Sequence, residues 1–200
     1  MKDDVIQLLP NQTKQAAVVL CRAFYDDPLV RYIVPEEARR ARLLPSFYTI
    51  VVRYALRYGE VYMTPGVEGV ACWLSPGNTT PSTLRLLRIA IRSAPLFLGL
   101  PEQGRNNIVA RYTDDVHKRL VSGPHWYLWG LGVDPPCQHQ GVGGKLIQPI
   151  LDRADREQLP CYLETTNEVN LPFYEKHGFK VISDGIVPGT NLRVWGMRRG

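Results

Sequence analysis

The chain has 200 residues, a formal net charge of +5 and a hydrophobic fraction of 44%, which is typical of a globular protein and excludes disordered and collagen-like chains. Its apolar runs are far shorter than the roughly 18 residues that cross a bilayer, and its N-terminus lacks the apolar stretch of a signal peptide. We therefore expect one cytoplasmic domain over residues 1–200, with no membrane partner.

Neither the cysteines nor the basic residues predict a metal site or a nucleic-acid site. The four cysteines are widely spaced, with no Cys-x-x-Cys pair and no histidine at zinc-finger spacing, so we expect reduced thiols and no bound metal. Nucleic-acid binding requires basic residues gathered on one face, whereas here they are mostly dispersed. The clearest cluster is Arg85, Arg88 and Arg92, which a helix would stack on one side as a solvated face. We therefore expect no nucleic-acid partner.

The first part of the chain predicts a short strand, three helices, a hairpin and a helical insertion over about residues 78–122. Asp27 followed by Pro28 is typical of an N-cap and the first position of a helix. Pro45 lies inside a helical stretch, which it is expected to divide or bend because it removes a backbone hydrogen bond. In chain order, the predicted elements are a strand at 5–9, helices at 11–26, 28–33 and 36–58, hairpin strands at 60–64 and 67–74, and helices at 83–93 and 104–120.

The second part of the chain predicts strands and helices in alternation. Pro149 lies inside a predicted helix, which it is expected to kink unless the surroundings have adapted to it. The predicted elements are a strand at 126–133, a helix ending near 158, a strand at 161–165, a helix at 171–177, and strands at 179–183 and 192–198. This order of elements predicts an α+β fold, in which strands and helices share one layered core.

Residues 138–144 are a predicted Gly-rich loop between a strand and a helix. In this arrangement, unpaired backbone N–H groups and the helix dipole bind a phosphate, and glycine allows the backbone to approach the anion closely. A Walker loop would need glycine in place of His139 and Ser or Thr in place of Leu146. A dinucleotide fingerprint starting at Gly141 would need glycine in place of Leu146. Both of these phosphate motifs are therefore excluded.

Two other stretches fit a known pattern. Gln138, Gly141 and Gly143 fill the motif Gln/Arg-x-x-Gly-x-Gly/Ala, and residues 170–179 read Asn-Leu-Pro-Phe-Tyr-Glu-Lys-His-Gly-Phe. Together they resemble the acyl-CoA pyrophosphate loop and the second cofactor motif of the GNAT superfamily of N-acetyltransferases. The resemblance implies the GNAT acyl-CoA N-acyltransferase fold. In that fold, a mixed, mostly antiparallel sheet is flanked by helices and parted like a V to admit acetyl-CoA.

The resemblance also implies which residues contact acetyl-CoA, within a cofactor-binding part at residues 126–183. Backbone groups at the end of one strand would bind the pantetheine arm and the thioester carbonyl, and loop amides would hold the pyrophosphate. A neutral Gln138 stands where many relatives carry Arg, which forfeits a charge-assisted bond. The implied cofactor contacts are Leu131, Gly132, Val133, Gln138, His139, Gln140, Gly141, Val142, Gly143, Gly144 and Asn167.

Two residues are candidates for the chemistry. By resemblance, Tyr174 protonates the departing thiolate, and the reference pKa values of about 10 for a phenol and about 8.5 for a thiol make this transfer close to balanced. An incoming amine must also lose a proton, so a base is needed. Glu164 is the candidate base because it lies on the neighbouring strand, although a structural glutamate fits the sequence equally well. Asp27 fits a helix cap better than a base.

The function implied by the resemblance is direct transfer of an acetyl group from acetyl-CoA to a primary amine in a ternary complex. Small-molecule amines, including amine-bearing antibiotics and metabolites, are the favoured acceptors. The sequence leaves open a protein or peptide amine as acceptor, and a non-catalytic acyl-CoA-binding module. It is also compatible with a homodimer.

Overall fold

The computed structural model describes residues 5–90 and 101–200, and a seven-stranded mixed sheet runs through them. The strands are β1 (Ile6–Gln7), β2 (Gly59–Met63), β3 (Gly69–Leu74), β4 (Trp126–Val133), β5 (Cys161–Thr165), β6 (Lys180–Ile186) and β7 (Arg193–Arg199). Their spatial order is β1-β2-β3-β4-β5-β7-β6. Neighbouring strands are antiparallel except β4 and β5, which are parallel. The predicted α+β fold with a mixed, mostly antiparallel sheet is confirmed.

Helices cover both faces of this sheet. They are α1 (Thr13–Ala23), α2 (Pro28–Ile33), α3 (Glu37–Tyr58), α4 (Thr83–Ala90), α5 (Pro101–Leu120), α6 (Val142–Glu157) and α7 (Leu171–Lys176). Helices α1 and α3 pack on one face, which we call the α1/α3 face, and α6 and α7 pack on the other, the α6/α7 face. None of the helices within the described ranges is long and apolar enough to cross a membrane.

Each face has its own core because successive strand residues point to opposite sides. On β4, Trp126 and Leu128 are buried in the α6/α7 core, whereas Tyr127 is buried in the α1/α3 core. On β5, Tyr162 faces the α1/α3 core and Leu163 the opposite one. Full burial of each large apolar side chain contributes about 1.5–3 kcal/mol. The two cores therefore hold β4 and β5 firmly where these strands are paired.

Several predicted boundaries are wrong. Pro45 does not divide α3, which is continuous through it, and α6 is likewise continuous through Pro149, because each helix is held along its length by a buried face. The bend at Pro45 and the kink at Pro149 remain predictions. Helix α6 also begins at Val142, inside the predicted loop. Strand β6 continues to Ile186 although Asp184 and Gly185 are poor strand formers.

The basic cluster is only partly present in the described residues. The guanidinium of Arg85 donates to Asn78 Oδ1 at 3.0 Å and lies 4.5 Å from the centre of the Tyr58 ring. Arg88 is exposed on α4, and Arg92, with the end of the predicted helix at 83–93, lies outside the described residues. The guanidinium of Arg85 is thus engaged in contacts within the protein.

Candidate active site

The parallel strands β4 and β5 separate shortly after they begin. Within residues 126–133 and 161–165, all of which are described, the pairing consists of Trp126 with Cys161 and Tyr127 with Tyr162. A register shift on β4 opposite Cys72 and Trp73 marks a bulge, which locally re-aims the backbone. The central strand of the sheet is consequently only half-buried over residues 129–131. The result is a V-shaped gap, as the fold implied by the sequence requires.

A Gly-rich loop follows β4 at the mouth of this gap. Gly141 adopts a left-handed backbone with φ of 81° immediately before α6, and His139 is also left-handed, with φ of 62°. The amide of Lys145 donates to the carbonyl of Gly141 at 3.2 Å, so the amides of residues 142–144 come before the first hydrogen bond of the helix. Unpaired N–H groups and a helix dipole in this arrangement suit an anion.

Two glycines at the start of α6 also allow α7 to pack against it. A Cβ at Gly143 would lie 3.2 Å from the ring of Phe173, and a Cβ at Gly144 would lie 2.8 Å from His177 Nε2. His177 Nδ1 donates to the carbonyl of Phe173 at 2.8 Å, which holds that ring in place. The sequence attributed these glycines to an approaching anion, and the structure adds a second reason, which is close helix packing.

Three residues expected to contact the cofactor have side chains that are bonded within the protein. Gln138 Nε2 donates to the carbonyl of Val133 at 3.0 Å. Asn167 Oδ1 accepts from the amide of Val169 at 3.2 Å and caps a short turn. Gln140 Nε2 donates to the carbonyl of Pro136 at 3.0 Å. These bonds shape the loop and the turn, and the cofactor contacts of Gln138 and Asn167 remain predictions.

Glu164 lies on the α1/α3 face of the gap. Its Oε2 accepts from the hydroxyl of Tyr127 at 2.6 Å. Its Oε1 and the hydroxyl of Tyr162 are both buried, and the two groups lie close enough to interact although neither makes a hydrogen bond of good geometry within the described part of the chain. Burial raises the pKa of Glu164 to about 7, although the hydroxyls of Tyr127 and Tyr162 oppose the increase. A carboxylate with such a pKa exchanges protons readily near neutral pH.

Tyr174 lies on α7 and packs in the core of the α6/α7 face. Its ring packs against Phe173 and Phe179, and the residue is 8% exposed. Burial, together with the charge of Asp27, raises the pKa of Tyr174 well above its usual value. The hydroxyl is therefore protonated at neutral pH and able to donate.

Asp27 adds a second carboxylate that the sequence had assigned only to capping. Its Oδ1 accepts from the amide of Leu29 at 2.9 Å, which confirms the predicted cap of α2. The same oxygen accepts from Thr166 Oγ1 at 3.1 Å, in the turn after β5. Burial raises the pKa of Asp27, and its charge raises the pKa of both Tyr174 and Tyr48. Asp27 therefore lies beside the gap, linking α2 to the end of β5.

A buried histidine pair behind Tyr162 was missed at the sequence level. His117 stacks on Tyr162 with 4.3 Å between ring centres, and its Nε2 lies 2.7 Å from Nε2 of His125. His125 Nδ1 lies 2.8 Å from the carbonyl of Gly123, which can only accept, so His125 Nε2 accepts in turn from His117. Burial lowers the pKa of both rings, and both are neutral at pH 7. In residues 5–90 and 101–200, no group of three or more His, Cys, Asp and Glu side chains is arranged to hold a metal ion.

An open groove of about 480 Å³ adjoins the Gly-rich loop on the α1/α3 face. It lies between α1, α3 and residues 134–136. On its wall, Arg22 and Asp134 form an ion pair at 2.7 Å, and the exposed Asp26 adds a further carboxylate.

Comparison with known proteins assigns the family. The model of the acetyltransferase (GNAT) family matches residues 70–179. An uncharacterised N-acetyltransferase of Schizosaccharomyces pombe is 31% identical over 175 residues, which cover 83% of this chain and 70% of that protein.

Solved structures share the fold. A protein of Corynebacterium glutamicum described as histone acetyltransferase HPA2 and related acetyltransferase has a TM-score of 0.66 at 22% identity, covering 100% of this chain and 96% of that one. The polyamine N-acetyltransferase of Drosophila melanogaster has a TM-score of 0.60 at 16% identity, covering 97% of both chains. Arylalkylamine N-acetyltransferase 2 of Aedes aegypti has a TM-score of 0.62 at 13% identity, covering 98% and 97%. The chain belongs to the GNAT family of acetyltransferases and is an acetyl-CoA-dependent enzyme.

Proposed function

We propose that this enzyme transfers the acetyl group directly to the primary amine of a small molecule. The observation that carries the proposal is the gap between β4 and β5. On its α1/α3 face lies Glu164, with a pKa raised to about 7. In the core of its α6/α7 face lies Tyr174, whose hydroxyl is protonated. A proton acceptor and a proton donor on the two sides of one gap suit an amine that attacks from one side while a thiolate departs on the other.

The residues around the gap fit acetyl-CoA. Amides of residues 139–144 hold the pyrophosphate, since the left-handed loop and the uncapped start of α6 present N–H groups to an anion. The edge of β4 that diverges from β5 leaves backbone groups of Leu131 and Val133 for the pantetheine arm. When bound, acetyl-CoA supplies the acetyl group as a thioester. We assign this binding to residues 126–183, and the acceptor side to α1 and α3.

The acid–base steps follow from the two side chains. Glu164 Oε1 takes a proton from the incoming ammonium group, which leaves a neutral amine able to attack. The hydroxyl of Tyr127 keeps Oε2 occupied at 2.6 Å, so the free oxygen is the one that receives the proton. Tyr174 donates its hydroxyl proton to the departing sulfur, and the second proton that the attacking nitrogen loses as the amide forms restores the Tyr174 phenol. No residue of the enzyme needs to carry the acetyl group.

A small acceptor is supported by the dimensions and chemistry of the groove. Its volume of about 480 Å³ lies within the range of roughly 300–1,000 Å³ typical of small-molecule sites. The exposed Asp26 provides a carboxylate on its wall for a cationic amine. The names of two structural neighbours, a polyamine and an arylalkylamine N-acetyltransferase, agree with this substrate class.

The test is release of coenzyme A thiol from acetyl-CoA with a panel of acceptors. The panel contains agmatine, spermidine, tyramine, an aminonucleoside and a lysine-containing histone peptide. We expect the highest kcat/KM with one of the small amines. A preference for the peptide would replace the proposed acceptor with a protein. Binding of acetyl-CoA by calorimetry without turnover on any amine would contradict transfer altogether.

A further inference from the structure

We propose that Gly130 forms the floor of a subsite that accepts an apolar substituent on the acceptor carbon next to the reacting nitrogen. The preferred acceptors are then primary amines on a branched carbon. This inference rests on the proposed acetyl transfer to a small amine, and it adds the shape of that amine.

The bulge on β4 determines which way Gly130 faces. Cys72 pairs with Gly130 while Trp73 pairs with Leu128, so Trp129 is the extra residue of the bulge. A classic bulge places two successive residues on the same side of the sheet. Trp129 packs with the α1/α3 core, and Gly130 therefore faces that side too, as Tyr127 and Glu164 do.

The space above Gly130 is open. A Cβ built on Gly130 would meet no atom of the described residues within 4 Å. Two positions further along β4, a Cβ on Gly132 would lie 2.8 Å from Leu20 and 2.9 Å from Ala23. Helix α1 thus lies close to β4 at Gly132 but not at Gly130. Trp129 bounds the space on the other side, where its ring packs edge-on to Tyr54 at 5.2 Å.

Nothing in the local structure requires a glycine at this position. Gly130 has no left-handed backbone, in contrast to Gly141, and no neighbour that a Cβ would displace, in contrast to Gly132. A glycine in the interior of a central strand weakens it, and β-branched residues are favoured there. A glycine at such a point often marks the close approach of a ligand. The missing side chain at Gly130 is therefore explained by a molecule that occupies its place.

The surroundings define the chemistry of that molecule. The nitrogen must reach Glu164 Oε1, which lies on the same side of the sheet as Gly130. Trp129 offers an apolar wall. Tyr48, whose pKa is raised by burial and by the charges of Asp27 and other nearby groups, lies near the buried Cys72 that pairs with Gly130. A small alkyl or aryl substituent suits this space, whereas an anionic group would be repelled by the carboxylates of Glu164 and Asp27.

The experiment compares two amines of equal composition, n-butylamine and sec-butylamine, in the wild type and in Gly130→Val. The valine side chain fills the subsite without strain, since Gly130 has ordinary strand geometry. Because one methylene in an apolar pocket changes kcat/KM by about 10–200-fold, we expect the variant to lose at least tenfold more kcat/KM with sec-butylamine than with n-butylamine. The calorimetric Kd for acetyl-CoA stays unchanged.

The matched control is Gly104→Ala on α5, where a Cβ also meets nothing within 4 Å of the described residues but which lies away from the gap. This variant should keep the wild-type ratio between the two amines. Equal losses with both amines, or no loss with either, in Gly130→Val would overturn the subsite. A wild type that acetylates no amine of the panel would instead refute the proposed function, and the subsite with it.

Discussion

Replacing Glu164 with Gln removes the proposed base while it keeps the size of the side chain. The amide oxygen still accepts from the Tyr127 hydroxyl, which lies 2.6 Å from Oε2, so the fold and the position of the side chain are retained. General base catalysis contributes about 100- to 10,000-fold. We expect kcat/KM for the best amine of the panel to fall by at least about 100-fold, with no change in the Kd for acetyl-CoA.

The pH profile gives this prediction a second readout. The pKa of Glu164 is raised to about 7 by burial, and only the ionised form accepts a proton. Wild-type activity should therefore rise with pH through about 7 and level off above it, and the Gln variant should lack this rise. The acceptor amine titrates as well, so the profile is measured with two amines of different pKa. An inflection that belongs to Glu164 remains in place, and one that belongs to the acceptor moves with it.

Glu168→Gln is the control, because Glu168 is exposed in the turn after β5 and should keep wild-type kinetics. The reasoning is refuted if Glu164→Gln retains wild-type kcat/KM together with the inflection near pH 7. Asp27→Asn would then be the informative variant. Loss of the inflection in that variant would assign the base to Asp27, whose charge already acts on Tyr174.

Three further variants test the other parts of the site and the core. Tyr174→Phe should lower kcat by about 100-fold or more with acetyl-CoA affinity intact, whereas Tyr62→Phe should not, and an unchanged kcat would remove Tyr174 from the mechanism. Gly143→Glu should abolish calorimetric binding of acetyl-CoA, because its Cβ would already lie 3.2 Å from Phe173 and its charge repels phosphate; wild-type affinity would show that the loop is misassigned. Burial lowers the pKa of His117 from 6.5 to about 4, so the unfolded chain binds protons first as the pH falls through this window. Urea unfolding should then show wild-type stability falling by up to about 3 kcal/mol between pH 6.5 and 4, and falling less in His117→Gln; equal losses would contradict the burial of a neutral ring.

Much of the cofactor half was predictable because its signals are local. The β4 and β5 boundaries, at residues 126–133 and 161–165, agree with the structure, since each is a short apolar run between turn residues. Asp27 followed by Pro28 predicted both the cap and the start of α2, because a side-chain oxygen two residues before an amide is sufficient for capping.

Other features depend on contacts between distant parts of the chain. Pro45 was expected to divide or bend its helix, but α3 is not divided because its buried face holds it in one piece, and α6 is likewise continuous through Pro149. The end of β6 is poor in strand-forming residues and pairs with β7 over its whole length, with Asp184 bound to Arg193 at 2.7 Å. A prediction from residue propensities along the sequence takes neither the buried helix faces nor the pairing with β7 into account.

The sequence by itself determined the family, the fold class and the loop that suits a pyrophosphate, because spacing along one strand, turn and helix specifies them. Only the tertiary structure determined the raised pKa of Glu164 and the open space beside Gly130. The first has its pKa near 7 because β4, β5 and the tyrosines around it exclude water. The second faces open space because a bulge turns it toward the gap and α1 ends its contact with the strand at Gly132. Burial and empty volume arise only when elements distant in the chain come together, so no local pattern of residues encodes them.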